Sequence, residues 1–291
     1  MASNIKYLIP NSITLASLCM GVAGITLAAR GELYHGLWLA LLATLFDKLD
    51  GAMARKFKAT SSFGVEMDSL ADMVAFGVTP AVLVYLAVLR FSPHFSGDLH
   101  WVALGASLTY VVASALRLAK FNVIAQSGEF NQVFQGLPMP VAAGLLVAPL
   151  LVLCKYYEPS GYTPHFADAR FFGMIAAGDG QHAIFSWMVP MTALIAFGMI
   201  SPLKVPKLIV PKTPWLKIWV TGHALTMYVL ILTRTFPEIL LYIGYQFVLI
   251  SAYFTFKLRN QPGAAAVPLL TAMSYQLEFK HKEDAEFSEK Q

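Results

Sequence analysis

Apolar residues gather into eight long runs, at approximately 8–29, 34–56, 66–90, 100–122, 138–156, 183–202, 215–233 and 236–257. Most reach the length of about 20 residues that a helix needs to cross a bilayer core. Polar stretches separate them, and the pattern predicts an all-α, polytopic transmembrane helical bundle of about eight spans. The second and third runs stand apart because aspartates interrupt them. The first run is too long for a signal peptide, lacks a basic leading region and has no convincing small-residue cleavage site, so it reads as a retained helix. The stretch 258–291 is polar and reads as a tail.

Composition agrees with this pattern. Of 291 residues, 57% are hydrophobic and 13% are charged, where a soluble domain carries about a quarter charged. The mean hydropathy is +0.59. A large soluble core does not account for so many uncharged runs. Charge placement adds an orientation. With eight alternating helices and a cytoplasmic N-terminus, 16 of the 21 Lys and Arg residues fall inside and 5 outside, which puts both termini in the cytoplasm. The net charge of +4 is modest; membrane lipids are the expected surroundings, and no nucleic-acid partner is expected. Cys19 and Cys154 lie in apolar segments and suggest neither a disulfide framework nor a metal site. The seven histidines show no metal-ligand spacing. Trp101, Tyr156, Tyr157, Trp187, Trp215 and Tyr242, near run ends, fit interfacial anchors.

The chemistry is concentrated where acids enter the apolar pattern. On a helix, Asp47, Asp50, Gly51 and Ala54 fall within about 100° of one another. Gly64, Asp68 and Asp72 advance by only about 40° per step and form a second stripe. The polar turn from Lys56 to Phe63 makes an antiparallel pair whose two acidic faces can meet. Carboxylates inside a span are costly and mark functional sites. Four converging carboxylates cannot all stay ionised without cations, so either protonation or bound metal must relieve them. Oxygen donors of this kind select Mg²⁺, Mn²⁺ or Ca²⁺, and four suit a pair of divalent ions. An ion carrier or channel, or a structural scaffold, also fits intramembrane acids. Gly51, Ala54 and Gly64 leave room for a substrate, although close helix packing is the ordinary use of one small residue in a membrane. Arg55 sits about 12 Å along the axis from Asp47, where it either holds a phosphate or anchors the helix.

The full arrangement, D-x-x-D-G-x-x-A-R, eight residues, then G-x-x-x-D-x-x-x-D from Asp47 to Asp72, resembles the signature of the CDP-alcohol phosphatidyltransferase family without a departure. The resemblance implies that family's fold. It assigns a catalytic core to 1–202, an additional helix pair to 203–257 and a cytoplasmic polar tail to 258–291. It also implies that Asp47, Asp50, Asp68 and Asp72 hold Mg²⁺ or Mn²⁺, two ions per site, and that Asp72 takes the acceptor's proton. Gly51, Ala54, Arg55, Ser61 and Gly64 match positions around the CDP-lipid. Asn11 and Thr14, in Pro10-Asn-Ser-Ile-Thr14, resemble an early segment near the nucleotide; as a local reading, Asn11 suits a helix N-cap. A homodimer and an active site at the cytoplasmic leaflet also follow from the resemblance and the orientation.

The acceptor is suggested by flanking stretches. Ser62 to Pro80, Arg117-Leu-Ala-Lys120-Phe-Asn122 and Phe134-Gln-Gly-Leu-Pro-Met-Pro140 resemble the serine-accepting branch, the phosphatidylserine synthases. The expected substrates are then CDP-diacylglycerol and L-serine. Serine brings a carboxylate that needs a cation; Arg117 and Lys120, with Asn122 nearby, are the candidates, and a positive-inside anchor is the alternative use of both cations. Choline is the alternative acceptor.

Overall fold

The computed structural model describes residues 2–59, 61–95, 97–126, 133–157, 183–201, 204–206 and 214–257. The polar tail expected at 258–291 lies outside the described residues. Each apolar run forms helix: α1 (Ala2–Ala29), α2 (Leu33–Lys56), α3 (Ser62–Asp72), a π-helical turn (Met73–Val78), α4 (Thr79–Phe91), α5 (His100–Gln126), α6 (Met139–Tyr157), α7 (Ala183–Ser186), α8 (Met188–Ile200), α9 (Pro214–Thr233) and α10 (Pro237–Lys257). Two short strands, β1 (Val133–Gln135) and β2 (Lys204–Pro206), pair antiparallel with Phe134 opposite Val205. They leave the all-helical class unchanged.

Among the described residues, four stretches are long and apolar enough to cross a membrane: Tyr7–Ala29, Ser62–Phe91, His100–Ile124 and Met139–Tyr156. Ile184–Ile200 and Thr221–Thr233 are shorter apolar helices. The helical segments thus follow the expected runs, while eight crossings are more than length and composition establish. Helix α2 carries two aspartates and three cations in its last ten residues, which is why hydropathy alone does not mark it as a span.

Small residues set the packing. Helices α1 and α2 cross where Gly24 faces Gly36; a Cβ on Gly36 would collide with the Gly24 carbonyl. Gly21 lets α1 approach the π turn, with a hypothetical Cβ only 2.8 Å from Thr79 Oγ1. Lipid tails give helices no hydrophobic reason to associate, so such close backbone contact supplies the attraction. Trp38, Phe76, Leu83, Tyr110, Leu146 and Leu150 fill the interior. Leu15, Val22, Leu108, Val112, Leu194 and Phe197 face outward, as a lipid-exposed surface requires.

Three local features depart from the sequence pattern. Helix α1 starts at Ala2 and includes Pro10, so Asn11 lies inside the helix and does not cap it. The run at 66–90 is not one α-helix. It begins at Ser62, capped by the Ser61 side chain, which accepts from the Gly64 N–H at 3.0 Å, and it changes register through the π turn directly after Asp72. The run at 183–202 is divided at Trp187 into α7 and α8.

Candidate active site

The turn between α2 and α3 is tight. Lys58 adopts a positive φ of 50°, the Ala59 N–H bonds to the Ala54 carbonyl at 2.9 Å, and Ser61 starts the next helix. This reversal brings the two acidic stripes together. Carboxylate oxygens of Asp47, Asp50 and Asp68 all lie within 4.8 Å of one another. Asp72, one turn beyond Asp68, is hydrogen-bonded to Asp47. The four expected aspartates therefore converge.

Like charges this close repel by roughly 3 kcal/mol per pair at an effective dielectric of about 20. Among the described residues none of the four forms an ion pair with Lys or Arg; the ion pair found is elsewhere, between Lys155 and Glu238. The donor set is all oxygen, and Asp50 is only 4% exposed. A 4.8 Å spread is compatible with oxygens on opposite sides of an ion bound at about 2.0–2.6 Å. The residues present thus fit a hard divalent cation.

The first helix contributes to the same site. Thr14 is buried and its hydroxyl donates to Asp50 Oδ2 at 2.6 Å. Asn11, one turn earlier, meets α3: a Cβ on Gly64 would stand 3.3 Å from Asn11 Oδ1 and 3.1 Å from Ser61 Oγ. Asn11, Ser61 and Gly64 therefore form one polar corner beside the aspartates. Among the described residues beyond the helix's own backbone and the neighbours in sequence, the one atom near a hypothetical Cβ on Gly51 is Arg55 Nη1, at 3.5 Å. That flank of α2 is open, and Ala54 is half-buried on it while Arg55 is exposed.

Helix α5 closes another side. Asn122 Nδ2 donates to Ser69 Oγ at 3.0 Å, between Asp68 and Asp72 in sequence. Arg117 interacts electrostatically with Asp72, and its Nε is buried without a hydrogen-bond partner. Lys120 lies close enough to Arg117 for the two cations to repel. The Gly136-Leu-Pro-Met-Pro140 run packs at its start against α8. Gly136 takes a φ of 74° against the end of α8, where a Cβ would strike the Met199 carbonyl, and the Leu137 N–H bonds to the Gly198 carbonyl at 3.1 Å.

One residue of the site was not legible from its sequence context. Tyr228 of α9 interacts electrostatically with Asp47, and α9 packs against α2, which carries that aspartate. A single tyrosine in an apolar run carries no local signal of such a role.

The matched family agrees with this geometry. Residues 7–178 match the CDP-alcohol phosphatidyltransferase family, and the chain belongs to it. With its apolar helices, it is an integral membrane protein. Among its relatives, the CDP-diacylglycerol–serine O-phosphatidyltransferase of Helicobacter pylori is 35% identical over 175 residues, 60% of this chain and 69% of that protein. The protein of the same name from Mycobacterium tuberculosis is 30% identical over 220 residues, 73% of each chain. The archaetidylserine synthase of Methanothermobacter thermautotrophicus is 37% identical over 137 residues, 46% of this chain and 54% of that protein.

Proposed function

We propose that this chain transfers the phosphatidyl group of CDP-diacylglycerol to the hydroxyl of L-serine, giving phosphatidylserine and CMP. The observation that carries the reading is Arg117. Its buried Nε has no partner among the described residues, and it interacts electrostatically with Asp72. A buried donor left unmatched costs about 1–3 kcal/mol, and the carboxylate of serine satisfies it. Choline has no carboxylate and would leave it unmatched. The relatives from H. pylori and M. tuberculosis, named as serine O-phosphatidyltransferases, support the same acceptor.

Asp47, Asp50, Asp68 and Asp72 hold divalent ions, Mg²⁺ or Mn²⁺ and two per site, whose charge offsets that of the substrate pyrophosphate. Gly51, Ala54 and Gly64 let the nucleotide lie against backbone, and Asn11, Ser61 and Arg55 offer polar groups to it. Thr14 fixes Asp50. Arg117, assisted by Lys120 and Asn122, orients serine by its carboxylate. Asp72 accepts the hydroxyl proton as the serine oxygen bonds to the phosphatidyl phosphorus. The bond from that phosphorus to the CMP phosphate oxygen breaks, and CMP leaves. No Ser, Cys or His lies in the motif to form a covalent intermediate, so attack is direct and inverts phosphorus. By the Lys and Arg distribution, both termini are cytoplasmic and the site opens at the inner leaflet. The core 1–202 carries the chemistry, 203–257 adds a helix pair and 258–291 is a polar tail; two copies form a homodimer, as the family resemblance implies.

The test is an acceptor panel. Purified protein receives CDP-diacylglycerol and Mn²⁺ with serine, inositol, glycerol phosphate or choline. Serine should yield lipid product and equimolar CMP. Product with another acceptor in its place overturns the assignment, and cation flux across vesicles without nucleotide would indicate a carrier.

A further inference from the structure

Tyr110 is completely buried in the middle of α5, and the transfer chemistry above does not use it. Its hydroxyl donates to the carbonyl oxygen of Phe76 at 3.0 Å. Phe76 lies four residues before Pro80. In an α-helix that carbonyl would accept from the N–H of residue 80, and proline has none. The phenol of Tyr110 takes the place of the missing amide.

The surrounding turn needs such support. Between Met73 and Val78 the helix is π-helical, so it spends about one extra residue in a turn. The Thr79 N–H and hydroxyl both bond to the Val74 carbonyl, the hydroxyl at 2.9 Å. Asp72 is the last residue before this interrupted ladder. Its backbone direction therefore depends on a turn held partly from outside.

The outside support is one face of α5. Tyr110, Ser114 and Arg117, at i, i+4 and i+7, share that face. Ser114 packs against Gly77, where a Cβ on the glycine would lie 3.2 Å from Ser114 Cβ. Arg117 follows on the same face and interacts electrostatically with Asp72. One helix face thus carries both the hydroxyl that pins the turn behind Asp72 and the guanidinium whose charge acts on Asp72.

We propose that Tyr110 is a positioning residue for the acceptor. Its hydroxyl, by tying the Phe76 carbonyl to α5, sets the separation between Asp72 and Arg117. The inference rests on the proposed function, which gives these two groups to the hydroxyl and the carboxylate of serine. A change in their separation strains the acceptor and leaves the nucleotide corner, formed by α1, α2 and the start of α3, untouched.

The experiment is Tyr110→Phe in the full-length protein, with steady-state kinetics in both substrates. The serine KM should rise about 5–10-fold and kcat fall about tenfold, because small misplacements of reacting groups are costly. The KM for CDP-diacylglycerol should stay within about twofold. Loss of folded protein alone would lower kcat and move neither KM, so an unchanged serine KM overturns the inference. A second variant, p-aminophenylalanine at position 110, restores a donor at the same place. It should recover the serine KM, and it decides the matter if Tyr110→Phe does not fold; a folded amino variant with impaired serine KM also overturns the inference. Wild-type protein and Asp72→Asn run beside them separate the two ideas. No serine turnover by the wild type, or normal turnover by Asp72→Asn, defeats the proposed function and this inference with it. Normal controls with an unaffected Tyr110→Phe defeat only the inference.

Discussion

Two groups of charge lie inside this bundle, and they are built on opposite principles. Where α6 ends and α10 begins, Lys155 and Glu238 form a 2.8 Å ion pair. The Tyr156 hydroxyl donates to the same carboxylate at 2.6 Å, and the Lys155 ammonium lies over the rings of Tyr156 and Phe236. That group is neutral as a unit, and its ion pair is buried within the protein. Where α2 meets α3, four aspartates converge with a threonine hydroxyl and no ion-paired cation among the described residues. Stability does not favour such a collection. The first group joins α6 to α10; the second is a set of oxygen donors that fits a hard divalent cation. The difference separates a structural charge from a functional one more sharply than burial does.

The largest expected effect sits in the second group. Asp72→Asn should lower turnover about 10²–10⁴-fold, the usual contribution of a positioned base, while its melting temperature holds or rises because one repelling charge is gone. A melting point that falls with the activity would place Asp72 among the structural charges and break the comparison.

Chelation comes next. Removing divalent ions should abolish turnover, and Mn²⁺ should restore it. Mn²⁺ should also raise the melting temperature of the wild type, since a ligand that binds only the folded state stabilises it. The same addition should not stabilise a protein with Asn at 47, 50 and 68. Equal stabilisation of both would mean that the ion binds elsewhere.

The first group should answer in the reverse sense. Lys155→Met leaves Glu238 buried without its cation and should cost about 3–5 kcal/mol of stability. Turnover per folded molecule should stay near wild type. The double change with Glu238→Met should recover most of the loss, because a buried pair replaced by apolar residues is often neutral. Thermal unfolding in detergent measures both. A double variant as unstable as the single one would show that the pair does more than neutralise itself.

These two groups also differ in how far sequence reveals them. The acidic stripes were legible because helix periodicity is local: Asp47 and Asp50 share a turn, Asp68 and Asp72 the next pair of turns, and a short polar turn joins them. The helical runs were legible for the same reason, with 34–56 and 138–156 matching α2 and α6 within a residue. The Tyr156–Glu238 contact joins residues 82 apart, and no local pattern announces it. Tyr228 near Asp47 is hidden in the same way. The π turn after Asp72 was hidden for a different reason. Pro80 signals a missing amide, but the replacement donor comes from Tyr110, 34 residues beyond Phe76, whose carbonyl it meets. Arg117 was expected only as a partner for the serine carboxylate, and its electrostatic link to Asp72 was not announced by spacing.

The smallest expected effect refines what surrounds the acidic group. Thr14 was expected beside the CDP-lipid, and its hydroxyl meets Asp50 at 2.6 Å, with the Pro10 carbonyl at 3.1 Å as a second acceptor. A hydroxyl has one proton, so the shorter contact to the carboxylate takes it. Thr14→Val keeps the shape and removes that donor. A hydrogen bond to a charged group contributes about 1.5–3 kcal/mol, so Asp50 should hold its cation roughly tenfold more weakly. The Mn²⁺ concentration for half-maximal turnover should rise by that factor, with the KM for CDP-diacylglycerol at saturating Mn²⁺ nearly unchanged. If the lipid KM rises and the Mn²⁺ requirement does not, Thr14 serves the nucleotide directly, and Asp50 is oriented by the carboxylates and backbone around it alone.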